Sequence, residues 1–183
     1  MVKNILISGG ANGLGYEISK LLSKKNNIKL IILDRDKKLI NIAQELKVDY
    51  ILTDLSQKLD FNLFNNKLDK IDCFINNASY VEKKNFDQFN YLEIDKQINL
   101  NILSPILLVN YLIKKNPAIK VVNILSTTIF FPTPTYALYS SCKTFVLKFF
   151  DNLFFENTKN LKVNNIIIGS MNTNFSEDSK NKN

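Results

Sequence analysis

The sequence predicts an α/β fold: a single domain with a doubly wound parallel sheet of about six strands between two layers of helices. Two patterns carry this. Six short runs rich in Ile, Val and Leu are apolar throughout instead of alternating, as strands covered on both faces are. Five longer helical segments fall between them, and strands interleaved with helices pair in parallel through right-handed crossovers. Size and balance agree, since 183 residues with 45% hydrophobic and 22% charged content suit one domain with a sizeable core.

The first strand, over 2–8, runs into Ser8-Gly9-Gly10-Ala11-Asn12-Gly13-Leu14-Gly15, and a helix over 13–25 follows at once. Glycines there let the backbone approach a pyrophosphate without an intervening Cβ. The helix N-terminus adds unpaired N–H groups and a partial positive charge. The spacing is G-x-x-x-G-x-G; by itself it would mark only a tight turn, but at the first strand-to-helix junction it marks a dinucleotide site. The second strand, over 28–33, ends at Asp34, 19 residues after Gly15. A carboxylate there accepts hydrogen bonds from the adenosine ribose hydroxyls and repels a 2′-phosphate, which favours NAD over NADP. Arg35 beside it is a group that suits a 2′-phosphate, so NADP stays open as the less favoured cofactor.

A helix over 36–46, a strand over 48–52, a helix over 57–68 and a strand over 71–76 come next. In the long segment 88–115, Ile98, Ile102, Ile106, Val109 and Ile113 recur at three- and four-residue spacing and predict a helix. Pro105 conflicts with it, because proline removes one backbone donor and kinks a helix. A strand over 119–125, a helix over 138–158 and a strand over 163–168 complete the pattern. Residues 1–175 form the expected domain, and 176–183 an expected disordered tail.

Tyr139-Ser140-Ser141-Cys142-Lys143 places Tyr and Lys four apart on one helix face. A phenol titrates near ~10 in water, too high for acid–base work at neutral pH. A neighbouring ammonium favours the phenolate and predicts a lowered value. A lone Y-x-x-x-K is common, however, and an exposed helix face also explains it.

Taken with its neighbours, this pattern resembles the classical short-chain dehydrogenase/reductase family, from Lys3 to about Thr173. Gly9, Gly13 and Gly15 match the family's cofactor turn, with Ser8 where Thr is usual. Asp54 and Leu55 follow strand three as does the family's acidic residue beside the adenine. Asn76-Asn77-Ala78-Ser79 resembles N-N-A-G, with Ser79 in place of the glycine. Asn101-Ile102-Leu103-Ser104-Pro105 resembles the stretch bearing the family's catalytic asparagine, which accounts for Pro105. Asn99 is a rival, but the Ser-Pro register fits Asn101. Val122-Asn123-Ile124-Leu125-Ser126 resembles V-N-I-S-S, and Ser126 lies 13 residues before Tyr139. Gly169 stands where the family has Pro-Gly, and Thr173 matches its nicotinamide-contacting threonine.

The resemblance implies a Rossmann-like fold and a role for each of four residues. Tyr139 exchanges a proton with the substrate oxygen, and Lys143 lowers its pKa and holds the nicotinamide ribose. Ser126 hydrogen-bonds the substrate oxygen, and Asn101 holds a water in the proton relay. Ser8, Gly9, Asn12, Gly13, Leu14, Gly15, Asp34, Arg35, Asp54, Leu55, Asn77, Ala78, Tyr139, Lys143, Gly169 and Thr173 line the implied cofactor site. The expected function is an NAD(P)-dependent oxidoreductase acting on a small carbonyl or alcohol. The alternative is a catalytically weak or silent nucleotide-binding member, because classical members continue past Thr173 into a substrate-covering lobe. The chain, ending ten residues later, is expected to lack that lobe and to leave strand six as an exposed edge.

Other classes are excluded by composition. Of 24 basic residues only Arg35 is arginine, and the lysines are scattered. The net charge of +7 therefore suits a solvated surface, with no nucleic-acid partner. No apolar run reaches the ~18–20 residues that span a bilayer, so no membrane role is expected. No secretory pattern is read before the first strand, and a cytoplasmic location is expected. His is absent, which excludes His-based triads and the commonest zinc sites; no metal is expected. Cys73 and Cys142 form no disulfide framework and are read as packing residues. The Phe-rich run 145–155 is wider than one apolar stripe. Its second face is expected against a partner copy, in the homodimer or homotetramer the resemblance implies. Phe130 and Phe131 belong either to the substrate pocket or to a surface turn.

Overall fold

The structure of the protein is a computed structural model that describes residues 2–156 and 160–171. Its strands are β1 (Lys3–Ser8), β2 (Ile28–Asp34), β3 (Asp49–Leu52), β4 (Cys73–Asn76), β5 (Lys120–Ser126) and β6 (Lys162–Ile168). The helices are α1 (Gly13–Ser23), α2 (Leu39–Leu46), α3 (Tyr91–Ile98), α4 (Ser104–Lys115) and α5 (Ala137–Glu156). All six strands pair in parallel in the order β3-β2-β1-β4-β5-β6. The chain therefore winds outward in both directions from β1. The crevice between the carboxyl ends of β1 and β4 is the switch point where such folds bind ligands.

Alternate residues of each strand face opposite layers. Ile5, Ile7, Leu30 and Ile32 pack on one side with Leu39 of α2 and Leu14 and Ile18 of α1. Leu6, Ile31, Leu33, Phe74 and Val121 pack on the other with Leu108 and Leu112 of α4 and Val146 and Phe150 of α5. This is the three-layer sandwich the apolar runs predict. Helix α3 begins at a reciprocal cap: the Asn90 side chain accepts from the Glu93 N–H, and the Glu93 carboxylate accepts from the Asn90 N–H, both at 3.0 Å.

Two helical expectations change. Residues 57–68 give a tighter 3₁₀ helix over Phe61–Leu68. The single helix over 88–115 is divided into α3, a π-helical turn over Asn99–Leu103, and α4. Pro105 has no N–H for the carbonyl four residues back, that of Asn101. The ladder widens there by one residue, with the Ser104 N–H bonded to the Asn99 carbonyl. Pro105 then falls in the first turn of α4, where no donor is needed.

A row of amides crosses the sheet. Asn76, Asn123 and Asn165 are in register on β4, β5 and β6. Asn76 donates to Asn123 (3.0 Å), Asn123 to Asn165 (2.9 Å) and Asn165 to Asp151 of α5 (2.9 Å). Asn123→Ala is expected to cost about 2–4 kcal/mol, because Asn76 and Asn165 each lose a buried partner. Chemical denaturation checks this; an unchanged midpoint would show the row to be idle.

Strand β6 lies at one edge of the sheet, with Ile166 and Ile167 exposed. Residues 157–158 of the expected last helix and the expected tail, 176–183, lie outside the described residues. Among the described residues no helix is long and apolar enough to cross a membrane.

Candidate functional site

The glycine turn fills the crevice above β1. Gly9 has φ +71°, the left-handed region that favours glycine. Gly15 faces it so closely that an added Cβ would lie 2.0 Å from the Gly9 carbonyl oxygen. Helix α1 opens at Asn12 with no side-chain cap and no acidic residue in its first turn. Its leading N–H groups and positive dipole end thus remain available to an anion, and the turn fits a pyrophosphate.

The surrounding predicted residues mostly brace this turn. The buried Asp34 carboxylate accepts from the Ala11 N–H (2.9 Å) and the Asp36 N–H (3.0 Å). Asn77 donates to the carbonyls of Ser8 and Gly9, both at 3.0 Å. The Ser8 hydroxyl accepts from the N–H groups of Asn77 (3.1 Å) and Ala78 (3.0 Å). The side chains of Ser8 and Asn77 therefore tie β1 to β4 and hold the turn, instead of reaching out of it. Gly10, which no motif singled out, backs onto Ile32 and Ser19.

On the far side of β1, Arg35 pairs with Asp54 at 3.6 Å. Burial acts to raise the Asp54 pKa, but hydrogen bonds from Ser56 and the Arg35 charge hold it below the usual carboxylate value. Leu55 is buried, and its carbonyl accepts the Ser104 hydroxyl. Asn12 exchanges hydrogen bonds with Asp36 and Lys38. Gly169 lies past the end of β6 with open space around it, and Thr173 lies outside the described residues.

The second half of the site is built on α5, β5 and the π-helical turn. Tyr139 and Lys143 share the inward face of α5 and are 7% and 6% exposed. The hydroxyls of Ser126, at the end of β5, and Ser79, after β4, hydrogen-bond Tyr139. Ser126 also accepts from the Thr128 N–H at 3.3 Å. Lys143 donates to the Ile124 carbonyl at 3.0 Å, and its Nζ stands 5.7 Å from the Tyr139 ring centre. Burial pulls Lys143 down to about 8.

The expected lowering of the Tyr139 pKa is reversed. Burial pushes its phenol up, and the counteracting influences are the two serine hydroxyls. The Lys143 ammonium is turned to a backbone carbonyl, so the lysine is not the group that opposes burial.

Asn101, inside the π-helical turn, is buried and fully bonded. Its Nδ2 donates to the carbonyls of Tyr80 (2.8 Å) and Gln97 (2.9 Å), and its Oδ1 accepts from the Ser79 hydroxyl (2.6 Å) and the Tyr80 N–H (3.2 Å). Residues 77–79 thus join the glycine turn to the Tyr139 cluster. Sequence reasoning noted Ser79 only as a departure from a motif, and no spacing signal marks its contacts. Phe130 and Phe131 are 59% and 65% exposed on the segment between Ser126 and Tyr139.

Comparison with known proteins gives consistent results. A profile described as short chain dehydrogenase matches residues 3–183. The chain is 27% identical over 173 residues to the 3-oxoacyl-acyl-carrier-protein reductase FabG of Rickettsia typhi, covering 91% of this chain and 72% of that one. It is 26% identical over 145 residues to an uncharacterized oxidoreductase of Schizosaccharomyces pombe, covering 76% of this chain and 50% of that one. The chain thus spans about half the length of some curated relatives. A short-chain dehydrogenase from Sphingobium yanoikuyae, solved in complex with NADPH, superposes with a TM-score of 0.88 at 23% identity, over 98% of this chain and 75% of that one.

Proposed function

The chain belongs to the short chain dehydrogenase family, and on that premise we propose that it is a nicotinamide-dependent oxidoreductase acting on a small carbonyl or alcohol. One observation carries the proposal: the turn suited to a pyrophosphate and the Tyr139–Ser126–Lys143 cluster adjoin, linked through residues 77–79. The dinucleotide, when bound, supplies or accepts the hydride.

The chain's own residues do the rest. Gly9, Gly13, Gly15 and the α1 N–H groups bind the pyrophosphate. Tyr139 gives its proton to the substrate oxygen during reduction and takes it back during oxidation. Ser126 hydrogen-bonds that oxygen and orients the carbonyl. Lys143, held at the floor of the site, is placed to hold the nicotinamide ribose. The Asn101 amide, bonded to Ser79, Tyr80 and Gln97, positions the loop after β4, and Asn101 keeps its proposed part of holding a water in the proton relay.

The same reading takes NAD as the cofactor. Asp34, whose carboxylate lies against the turn, would repel a 2′-phosphate, and the Arg35 guanidinium has a carboxylate partner in Asp54. Fluorescence titration is expected to give an NADH affinity at least about tenfold above that for NADPH, a difference of ~1.4 kcal/mol. A preference for NADPH would overturn the cofactor assignment. A screen of carbonyls and alcohols, with Tyr139→Phe as control, tests the reaction itself. Two further parts of the proposal rest on other features of the chain. Exposed Phe145, Phe154 and Phe155 on α5 support a homodimer, which light scattering checks. The free thiols of Cys73 and Cys142 support a cytoplasmic location.

A further inference from the structure

We propose that Ser79 is a positioning residue for proton transfer, its hydroxyl joining Tyr139 to Asn101 and turning to stabilise the tyrosinate as it forms. The inference rests on the reading of Tyr139 as the proton donor.

The orientation of Asn101 fixes the direction of the bonds. Its Nδ2 donates to two backbone carbonyls, so its Oδ1 is the acceptor that Ser79 meets at 2.6 Å. The Ser79 hydroxyl has one proton, and in this arrangement Asn101 receives it. Toward Tyr139, Ser79 therefore offers a lone pair and accepts the phenolic O–H. When Tyr139 passes its proton to the substrate oxygen, the demand reverses, because the phenolate needs a donor. Rotation about the Ser79 Cβ–Oγ bond swings the hydroxyl from Asn101 to the phenolate. Asn101 Oδ1 keeps its bond from the Tyr80 N–H throughout, so no buried acceptor is orphaned. Ser79 never loses its proton; only the partner of its O–H changes.

Ser126 is the other hydroxyl on Tyr139, but it is tied to Thr128 and is needed on the substrate oxygen. A glycine at position 79 would have no hydroxyl to offer. The buried setting makes this matter: burial raises the Tyr139 phenol, and the serine hydroxyls are what oppose it.

The test is the pH dependence of kcat/KM for the alcohol turned over fastest in the screen, in the parent, Ser79→Ala, Ser79→Thr and Tyr139→Phe. In Ser79→Ala the ascending limb is expected to move to higher pH. Its rate should be about fivefold lower at neutral pH, the worth of one ordinary hydrogen bond, and recover at alkaline pH. Ser79→Thr should restore the parent profile. NADH affinity and melting temperature should stay near parent values; if Ser79→Ala does not fold, Ser79→Gly serves. A Ser79→Ala profile that superimposes on the parent, or is lowered evenly at every pH, overturns the proposal. Activity that survives Tyr139→Phe, or no turnover of any compound, overturns instead the functional reading on which it stands.

Discussion

Tyr139→Phe is expected to lower turnover by roughly a thousandfold while leaving NADH affinity within about twofold, the range assigned to a positioned general acid–base group. The substitution keeps the ring, its buried place on α5 and its packing against Tyr136, and removes one hydroxyl. The proposed donor for the substrate oxygen disappears with it. Ser79 and Ser126 each lose a partner, so a stability loss of about 1–2 kcal/mol accompanies the kinetic one. Steady-state kinetics beside a cofactor titration separates the two effects, and parental turnover in the variant would end the assignment.

With Tyr139 as the proposed proton donor, the pH dependence follows from the same group. Burial raises the Tyr139 phenol, so its proton-bearing form prevails through neutral pH. Reduction, which needs that proton, should be flat across neutrality and fall only on the alkaline side. Oxidation, which needs the tyrosinate, should rise as pH rises. Both limbs should vanish in Tyr139→Phe.

Gly15→Ala is expected to abolish measurable NADH binding, a loss of roughly a hundredfold or more, and to destabilise the protein by about 2–4 kcal/mol. The added methyl would lie 2.0 Å from the Gly9 carbonyl oxygen, 2.5 Å from Asn77 Nδ2 and 2.9 Å from the Gly9 carbonyl carbon. Two of these are backbone atoms, which cannot yield as a flexible side chain does. Gly9 cannot retreat either, since the space its own Cβ would take lies 2.8 Å from Ala78 Cα. The turn must therefore open, breaking the Asn77 bond to Gly9 and scattering the N–H groups proposed to face the pyrophosphate. Gly169→Ala is the control for folding: a methyl added there would meet no described atom within 4 Å, and parental melting is expected. A Gly15→Ala protein that binds NADH normally would show that the turn is not the cofactor cradle.

Much of this is legible in the chain because it depends on local pattern. Each strand falls within about two residues of its apolar run, since a strand covered on both faces must be apolar along its length. The glycine turn and the Tyr139–Lys143 pair are legible for a similar reason: each lies within a few residues on one element. What escapes depends on elements distant in sequence. The Asn76–Asn123–Asn165 row exists only once three strands are in register. The role of Ser79 exists only once α5 brings Tyr139 over the end of β4. The π-helical turn is half visible, as Pro105 signals a conflict without saying that the ladder resolves it by one extra residue. Lys143 shares the expected face of α5 with Tyr139 but meets an unexpected partner, because spacing along a helix does not say which carbonyl a buried ammonium will find.

The amide row has a consequence for how the molecule opens. It links β4, β5, β6 and α5, the elements that present Ser79, Ser126, Tyr139 and Lys143, whereas the outer strands β2 and β3 lie beyond its reach. Breathing motions should therefore divide unevenly. The amides of β5, between two such links, should exchange with solvent deuterium only on global unfolding, while β3 exchanges through smaller local openings. The half that carries the proposed catalytic residues is then expected to open as one cooperative block.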